Sequence, residues 1–316
     1  MPGQRTPKKD PHSGGKSPAP AAALPAPQTP AVEEPTGPRV SVVLVAYNQA
    51  AALRRAVEAL ERSKERERIE ILVVDCGSRD ESANIDAEFP AVQILRLPQH
   101  FGATRAMNIA TRTAKAELLF LLSPDVEVLP DTVARLAEKL EGDQNFAAVC
   151  PLLVDEAGEP TQQAWSIPSK SDFAAGRLRA AAVDPAQEST PVEYASRDAL
   201  MVRKQLVRGI NYFDERFGEY WADLDLAMQI RRAGKKIIVY PQIRAILHPG
   251  EDPLEGDPVA KADFVLGAAE FLGKYEGFAA GFGFRMSAIF GALFKFDFKR
   301  FGLLASGEKM GSQAGR

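Results

Sequence analysis

Largely apolar runs of strand length recur along the first half of this chain, and each is followed by a stretch with helical spacing. The runs are VSVVLVAY (Val40 to Tyr47), IEILVVD (Ile69 to Asp75), VQILRL (Val92 to Leu97) and ELLFLL (Glu117 to Leu122). Between them, AALRRAVEALERSKE places Leu53, Val57 and Leu60 on one helix face, and ATRAMNIATRTAKA does the same with Ala103, Met107, Ala110 and Ala114. Ser78 and Glu81 have the spacing of a capping box, and Pro130 and Asp131 open a further helix that Gly142 ends. Strands without polar alternation must be covered on both faces, and strand–helix alternation builds a parallel sheet. Ligands of such sheets sit at the carboxyl ends of the strands. Asp75 ends one strand and Asp125 lies just past another, in LLFLLSPDVEVLPD, so both carboxylates are expected at one crevice.

The flanks are different material. Ten of the 23 prolines fall in residues 1–38, which hold almost no large apolar residue and are expected to form a disordered tail. Residues 155–190 read as loops with one short helix, and VEYASRDALMVRK as one or two strands. DLDLAMQIRRAGKK reads as a helix capped by Gly234, and KIIVYP as a strand. Nine of the 17 phenylalanines lie between Phe271 and Phe301, with Lys295, Lys299 and Arg300 at the border. An aromatic helix with basic edges suits a membrane interface. It equally suits packing on the domain or on a second copy, which leaves a homodimer open. Three units are therefore expected: a tail over 1–38, a folded domain over 39–255 and a helical segment over 256–316.

Composition narrows the function classes. A net charge of −3 gives no case for nucleic-acid binding, and two cysteines, Cys76 and Cys150, build neither a disulfide framework nor a Cys-rich zinc site. No uncharged run reaches the ~18 residues of a spanning helix, and no apolar secretory core is visible. A cytoplasmic protein, or one peripheral at the inner face of a membrane, is the expectation.

Single residues carry two readings each. Asp125 is either a turn or cap residue or a ligand for a hard divalent cation. Asp75 either satisfies its own turn or accepts a hydrogen bond from a nucleotide. Asp80 reads as a first-turn acid. In EYWADLDL, Asp225 is placed to cap the helix, which leaves Asp223 beside Tyr220 and Trp221 as a candidate general base. His248 is either a solvated loop residue or a contact to a metal or phosphate.

The order of these pieces resembles a known family. From Val40 to about Gly250 the chain is similar to family 2 glycosyltransferases of the GT-A fold, closest to the rhamnosyltransferase-like branch that builds bacterial surface polysaccharides. The matching stretches are VSVVLVAYN, VVDCGSRDES, HFGATRAMN, LLSPDVEVLPD, FDERFGEYWADLDLAMQIRRAGKKIIVYP and LHPG. The resemblance implies an α/β GT-A fold with a mainly parallel, Rossmann-like sheet, helices on both faces and a C-terminal amphipathic helical segment. It implies donor contacts at Ala46, Tyr47, Asn48, Asp75, Gly77, Arg105, Asn108 and Trp221. Asp125 and His248 would hold Mg²⁺ or Mn²⁺ against the donor diphosphate, and Asp223 would be the base of an inverting transfer. The donor would be a dTDP- or UDP-sugar and the acceptor a glycan or lipid-linked glycan.

Four positions depart from the family pattern. Ser123 stands where the first acid of the Asp-x-Asp motif is expected, Ala222 where an acid precedes the base, and Cys76 where Asn follows Asp75. HPGEDP also lacks a Ser beyond the His. A non-catalytic nucleotide-sugar binding subunit therefore stands beside the enzyme reading. A sugar nucleotidyltransferase is disfavoured, because no Gly-rich, basic phosphate loop follows the first strand.

Overall fold

The computed structural model describes residues 37–250, 257–307 and 309. The tail expected over 1–38 falls outside the described residues apart from its last two positions, and so does the boundary expected at 255.

The first half alternates as the apolar runs require. It contains β1 (Val40–Ala46), α1 (Ala50–Glu61), β2 (Ile69–Asp75), the short α2 (Ile85–Glu88), β3 (Gln93–Arg96), α3 (Ala103–Thr113) and β4 (Leu118–Leu122). β1 pairs in parallel with β2 on one side and β4 on the other, with Val40 opposite both Ile69 and Leu118. β3 continues the parallel set beyond β2. This register brings the carboxyl ends of β1, β2 and β4 to one edge, with Ala46 level with Asp75.

The second half turns the sheet mixed. It follows as β5 (Val126–Val128), α4 (Thr132–Gly142), β6 (Phe146–Val154), β7 (Ala164–Trp165), α5 (Lys170–Ala175), β8 (Thr190–Val192), β9 (Tyr194–Ala195), β10 (Ala199–Arg203), α6 (Lys204–Gly209), α7 (Ala222–Arg232) and β11 (Lys236–Leu247). The main sheet runs β3-β2-β1-β4-β10-β6-β11-β5, with β8 beside β11, and β7 and β9 form a separate pair. β10 is antiparallel to both neighbours. Its amino end therefore meets the carboxyl end of β4, and the Ser123 N–H donates to the Asp198 carbonyl at 2.8 Å.

Two apolar cores lie on opposite faces, because successive strand side chains alternate. Val42 and Leu44 pack with Leu53, Leu60, Leu136 and Leu140 under α1 and α4. Val43 packs with Met107, Leu224 and Phe271 on the other face. Full burial of each such side chain contributes roughly 1.5–3 kcal/mol, which outweighs the modest helix preference of either segment.

Two local expectations are corrected. Ser78 does not cap a helix. Its hydroxyl accepts from the Asn48 N–H, and Asp80 is the cap, accepting from Ser82 and also from Ala50 at the start of α1. Asp225 is not the cap of α7 either. The helix begins at Ala222 behind Trp221, so both Asp223 and Asp225 lie in its first turn. The segment Val192 to Lys204, read as one or two strands, holds two, β9 and β10, and begins at the last residue of β8. The C-terminal segment is a packed trio, α8 (Pro258–Tyr275), α9 (Phe278–Phe294) and α10 (Phe298–Ser306). Gly281 makes the α8–α9 crossing close: a Cβ there would stand 2.5 Å from the Ala269 carbonyl oxygen and 2.8 Å from Gly273 Cα.

Candidate active site

The sheet edge collects the acids that the sequence places after apolar runs. β4 ends at Leu122, and Ser123 folds back so that its hydroxyl accepts from the Asp125 N–H at 3.3 Å. Asp125 then sits half-buried. Burial pushes its carboxyl above the ordinary range and the charge of Asp198 adds to this, against Arg55 and His248, which pull it down. The strand β11 delivers its end to the same place. The His248 N–H donates to the Asp125 carbonyl at 2.9 Å, and a Cβ on Gly250 would stand 2.8 Å from Asp125 Oδ2. The His248 ring lies between two other acids, with Nε2 3.0 Å from Glu127 and Nδ1 2.8 Å from Glu156.

Asp223 occupies the neighbouring position. The backbone that carries it turns sharply at Trp221, whose φ of 75° is rare for a bulky residue and is of the kind that stores strain at functional sites. Packing holds the turn. The Trp221 indole donates to the Phe264 carbonyl at 2.9 Å and its ring meets Phe173 edge-on. Asp223 then points back at β9 and β10. Its Oδ2 accepts from the Tyr194 hydroxyl at 3.0 Å and from the Arg197 N–H at 3.3 Å.

Three residues here escape sequence reasoning. Asp198, in the turn before β10, is half-buried, and desolvation there raises its pKa with help from Asp223, while Ser196 and Arg197 oppose the rise. Arg197 reaches the other way, to the Glu219 carbonyl at 3.1 Å and its carboxylate at 3.4 Å. Tyr194 is pushed well above its usual pKa by burial and then by Asp223, so it stays a hydrogen-bond donor. Asp198 precedes the apolar run ALMV, and an acid before a run signals nothing unless the strand is known to be antiparallel. Its pairing with β4 supplies that information.

The expected donor contacts divide into two groups. Tyr47, at the end of β1, is 44% exposed and lies edge-on to His100. Gly77 has φ +77°, and a Cβ there would stand 2.8 Å from Gln99 Cα, so the turn after Asp75 needs glycine. Asp75 is buried and accepts from the Ser78 N–H, and Asn48 Oδ1 accepts from Arg79. Arg105 is exposed, with its guanidinium over Phe101. Ala46, Asn108 and Trp221 are buried, as Asp75 is. The Asn108 amide is fully engaged, donating to the Phe213 carbonyl and to Glu215 and accepting from the Phe213 N–H. It ties α3 to the loop before α7.

Among the described residues no group of three His, Cys, Asp or Glu side chains is arranged to hold an ion. The half-buried Asp125 carboxylate is nevertheless the kind of single ligand that Mg²⁺ uses when substrate phosphates complete its shell.

The mixed α/β fold matches that of GT-A glycosyltransferases. The solved structures that share it include GalNAc-T7, crystallised with UDP, GalNAc and Mn²⁺ (TM-score 0.59, 17% identity, covering 74% of this chain and 48% of that one), and S. aureus TarS 1-349 (TM-score 0.53, 17% identity, covering 74% and 65%). Sequence points the same way: residues 41–189 match the model described as Glycosyl transferase family 2. Relatives include the Myxococcus xanthus O-antigen biosynthesis protein RfbC, 24% identical over 74% of this chain and 19% of its own length. Another is an N-acetylglucosaminyl-diphospho-decaprenol L-rhamnosyltransferase of Mycobacterium tuberculosis, 24% identical over 67% of this chain and 78% of its own.

Proposed function

We propose that this chain transfers a sugar from a nucleotide-sugar donor to a glycan or lipid-linked acceptor in surface polysaccharide synthesis, with inversion at the anomeric carbon. The observation that carries this is the placement of Asp125 and Asp223, with Asp198 between them in the electrostatics of the site, at the carboxyl edge of the sheet. Tyr47, Asp75 and Gly77 line the nucleotide end. Asp125 faces the diphosphate, with His248 held beside it by its backbone bond. A Mg²⁺ or Mn²⁺ ion bound at Asp125 would offset charge building on the leaving diphosphate.

Asp223 takes the proton of the acceptor hydroxyl as that oxygen attacks. The Tyr194 hydroxyl and the Arg197 N–H both hold Oδ2, which leaves Oδ1, accepting from Leu224 N–H, as the freer oxygen. General-base positioning of this kind contributes about 10²–10⁴ in rate. Asp198 supplies a second carboxyl near the base in a chain where Ala222 is not an acid. The donor is read as a dTDP- or UDP-sugar by the family resemblance, with a cytoplasmic site of action.

The test is release of nucleoside diphosphate from the donor in the presence of acceptor, for the native chain and for Asp223→Asn. Loss of turnover in the variant with donor binding retained supports the reading. Donor binding without turnover in the native chain would instead make it a nucleotide-sugar binding subunit, the reading that Ser123 and Ala222 favour.

A further inference from the structure

Eight large hydrophobic side chains are exposed among the described residues. One is Tyr47, at the site, and the other seven fall between Phe278 and Phe298. Six of these are phenylalanines: Phe278, Phe282, Phe290 and Phe294 on α9, and Phe296 and Phe298 at the turn into α10. Phe278 and Phe294 are each 80% exposed. α9 packs inward through Gly281, Phe284, Ile289 and Ala292. At 3.6 residues per turn Gly281, Phe284 and Ala292 fall on the side away from Phe282, Phe290 and Phe294. A helix that is apolar all round belongs in a core or in lipid, and α9 has only half of its circumference covered. Soluble surfaces rarely carry so many aromatic side chains together without a partner.

Charge decides which partner. Between Phe278 and Phe301 there are four basic residues (Arg285, Lys295, Lys299, Arg300) and one acid, Asp297. Arg285 faces inward to the Leu304 carbonyl, and Asp297 is engaged as the α10 cap, accepting from the Arg300 N–H. That leaves Lys295 and Lys299 exposed within the phenylalanine cluster. In a two-fold contact with a second copy the same patch meets itself, so these lysines would be drawn into a drying, like-charged interface. Anionic headgroups offer them opposite charge while the rings enter the acyl boundary. No helix among the described residues is long and apolar enough to cross a membrane, so the contact lies in the interface plane.

We propose that the Phe278–Phe298 surface docks this protein on an anionic bilayer. The docking face is rigidly tied to the catalytic loop through α8. Asp263 accepts from the Glu219 N–H, the Phe264 carbonyl accepts from Trp221, and Lys274 and Tyr275 both reach Asp225, two residues beyond Asp223 in α7. A bilayer contact at α9 therefore fixes the orientation of the acceptor side of the site. Docking needs no donor and is read without turnover, so it stands or falls separately from the transfer reaction.

The experiment is flotation of the full chain with vesicles of phosphatidylglycerol and phosphatidylcholine, against vesicles of phosphatidylcholine alone, with sedimentation velocity run in parallel. The native chain is expected to float with the anionic vesicles and to remain largely unbound with the neutral ones. Phe290→Ser with Phe294→Ser is expected to weaken binding about tenfold or more, from the lost apolar transfer. Lys295→Glu with Lys299→Glu is expected to remove the preference for anionic vesicles. Both variants alter exposed side chains, and an unchanged thermal midpoint confirms that they fold. No flotation with anionic vesicles would overturn the proposal. A lipid-free dimer that the phenylalanine variant dissolves would overturn it too, in favour of a second copy.

Discussion

Tyr194 donates its hydroxyl to Asp223 Oδ2 at 3.0 Å, and through this bond the small β7–β9 sheet orients the acid at the start of α7. The bond joins residues 29 positions apart and fixes one oxygen of the proposed base.

If that orientation matters to transfer, Tyr194→Phe should lower kcat by about 10–100-fold, the worth of one hydrogen bond to a charged group. Asp223→Asn should lower it by about 10²–10⁴-fold. Donor KM should change little in either variant. Steady-state kinetics with varied donor separates the two effects.

Asp125 should respond in opposite directions without and with ligand. Burial raises its folded-state pKa, so folding favours the protonated form. The resulting penalty is absent below the unfolded-state pKa, grows as pH rises, and is complete above the folded pKa. At neutral pH, Asp125→Asn should therefore raise the melting temperature of the ligand-free chain while removing metal-dependent stabilisation by donor. Differential scanning fluorimetry at pH 4 and pH 7 checks both signs.

Asp198→Asn removes a charge that helps to hold the Asp125 carboxyl up. Metal-dependent donor binding should then persist to lower pH than in the native chain. A binding titration repeated across pH 4–7 reads the shift, and an unchanged acid limb would dissociate Asp198 from the site.

Asn108→Ala should destabilise the fold by about 1–3 kcal/mol, because buried partners at Phe213 lose their hydrogen bonds. Donor KM should stay near native. Urea denaturation combined with kinetics distinguishes this structural role from the donor contact that the family resemblance suggests.

What was legible in the sequence follows from periodicity. β1, β2 and β4 are apolar on both faces, which requires a sheet covered on both sides, and the acids after β2 and β4 lie at the carboxyl edge. The second half was less readable because its strands are short and its key acid precedes a strand. Asp198 reaches the site only because β10 runs antiparallel between β4 and β6. Trp221 and Asn108 carry motif identity without exposure, since indole and amide are each engaged by backbone 43 and 105 residues away. The start of α7 was misplaced for a related reason. Its cap is a strained tryptophan held by α5 and α8, and no local preference signals it.

The most direct test of the central claim is thermal stability of the full chain with UDP-, dTDP- and GDP-sugars, with and without Mn²⁺ or Mg²⁺, for the native protein and Asp125→Asn. A ligand that binds only the folded state raises the melting temperature. The account predicts that one nucleotide-sugar does so only when the metal is present, and that Asp125→Asn abolishes the rise. A chain that no nucleotide-sugar stabilises under either condition, or a rise that Asp125→Asn leaves intact, would contradict it.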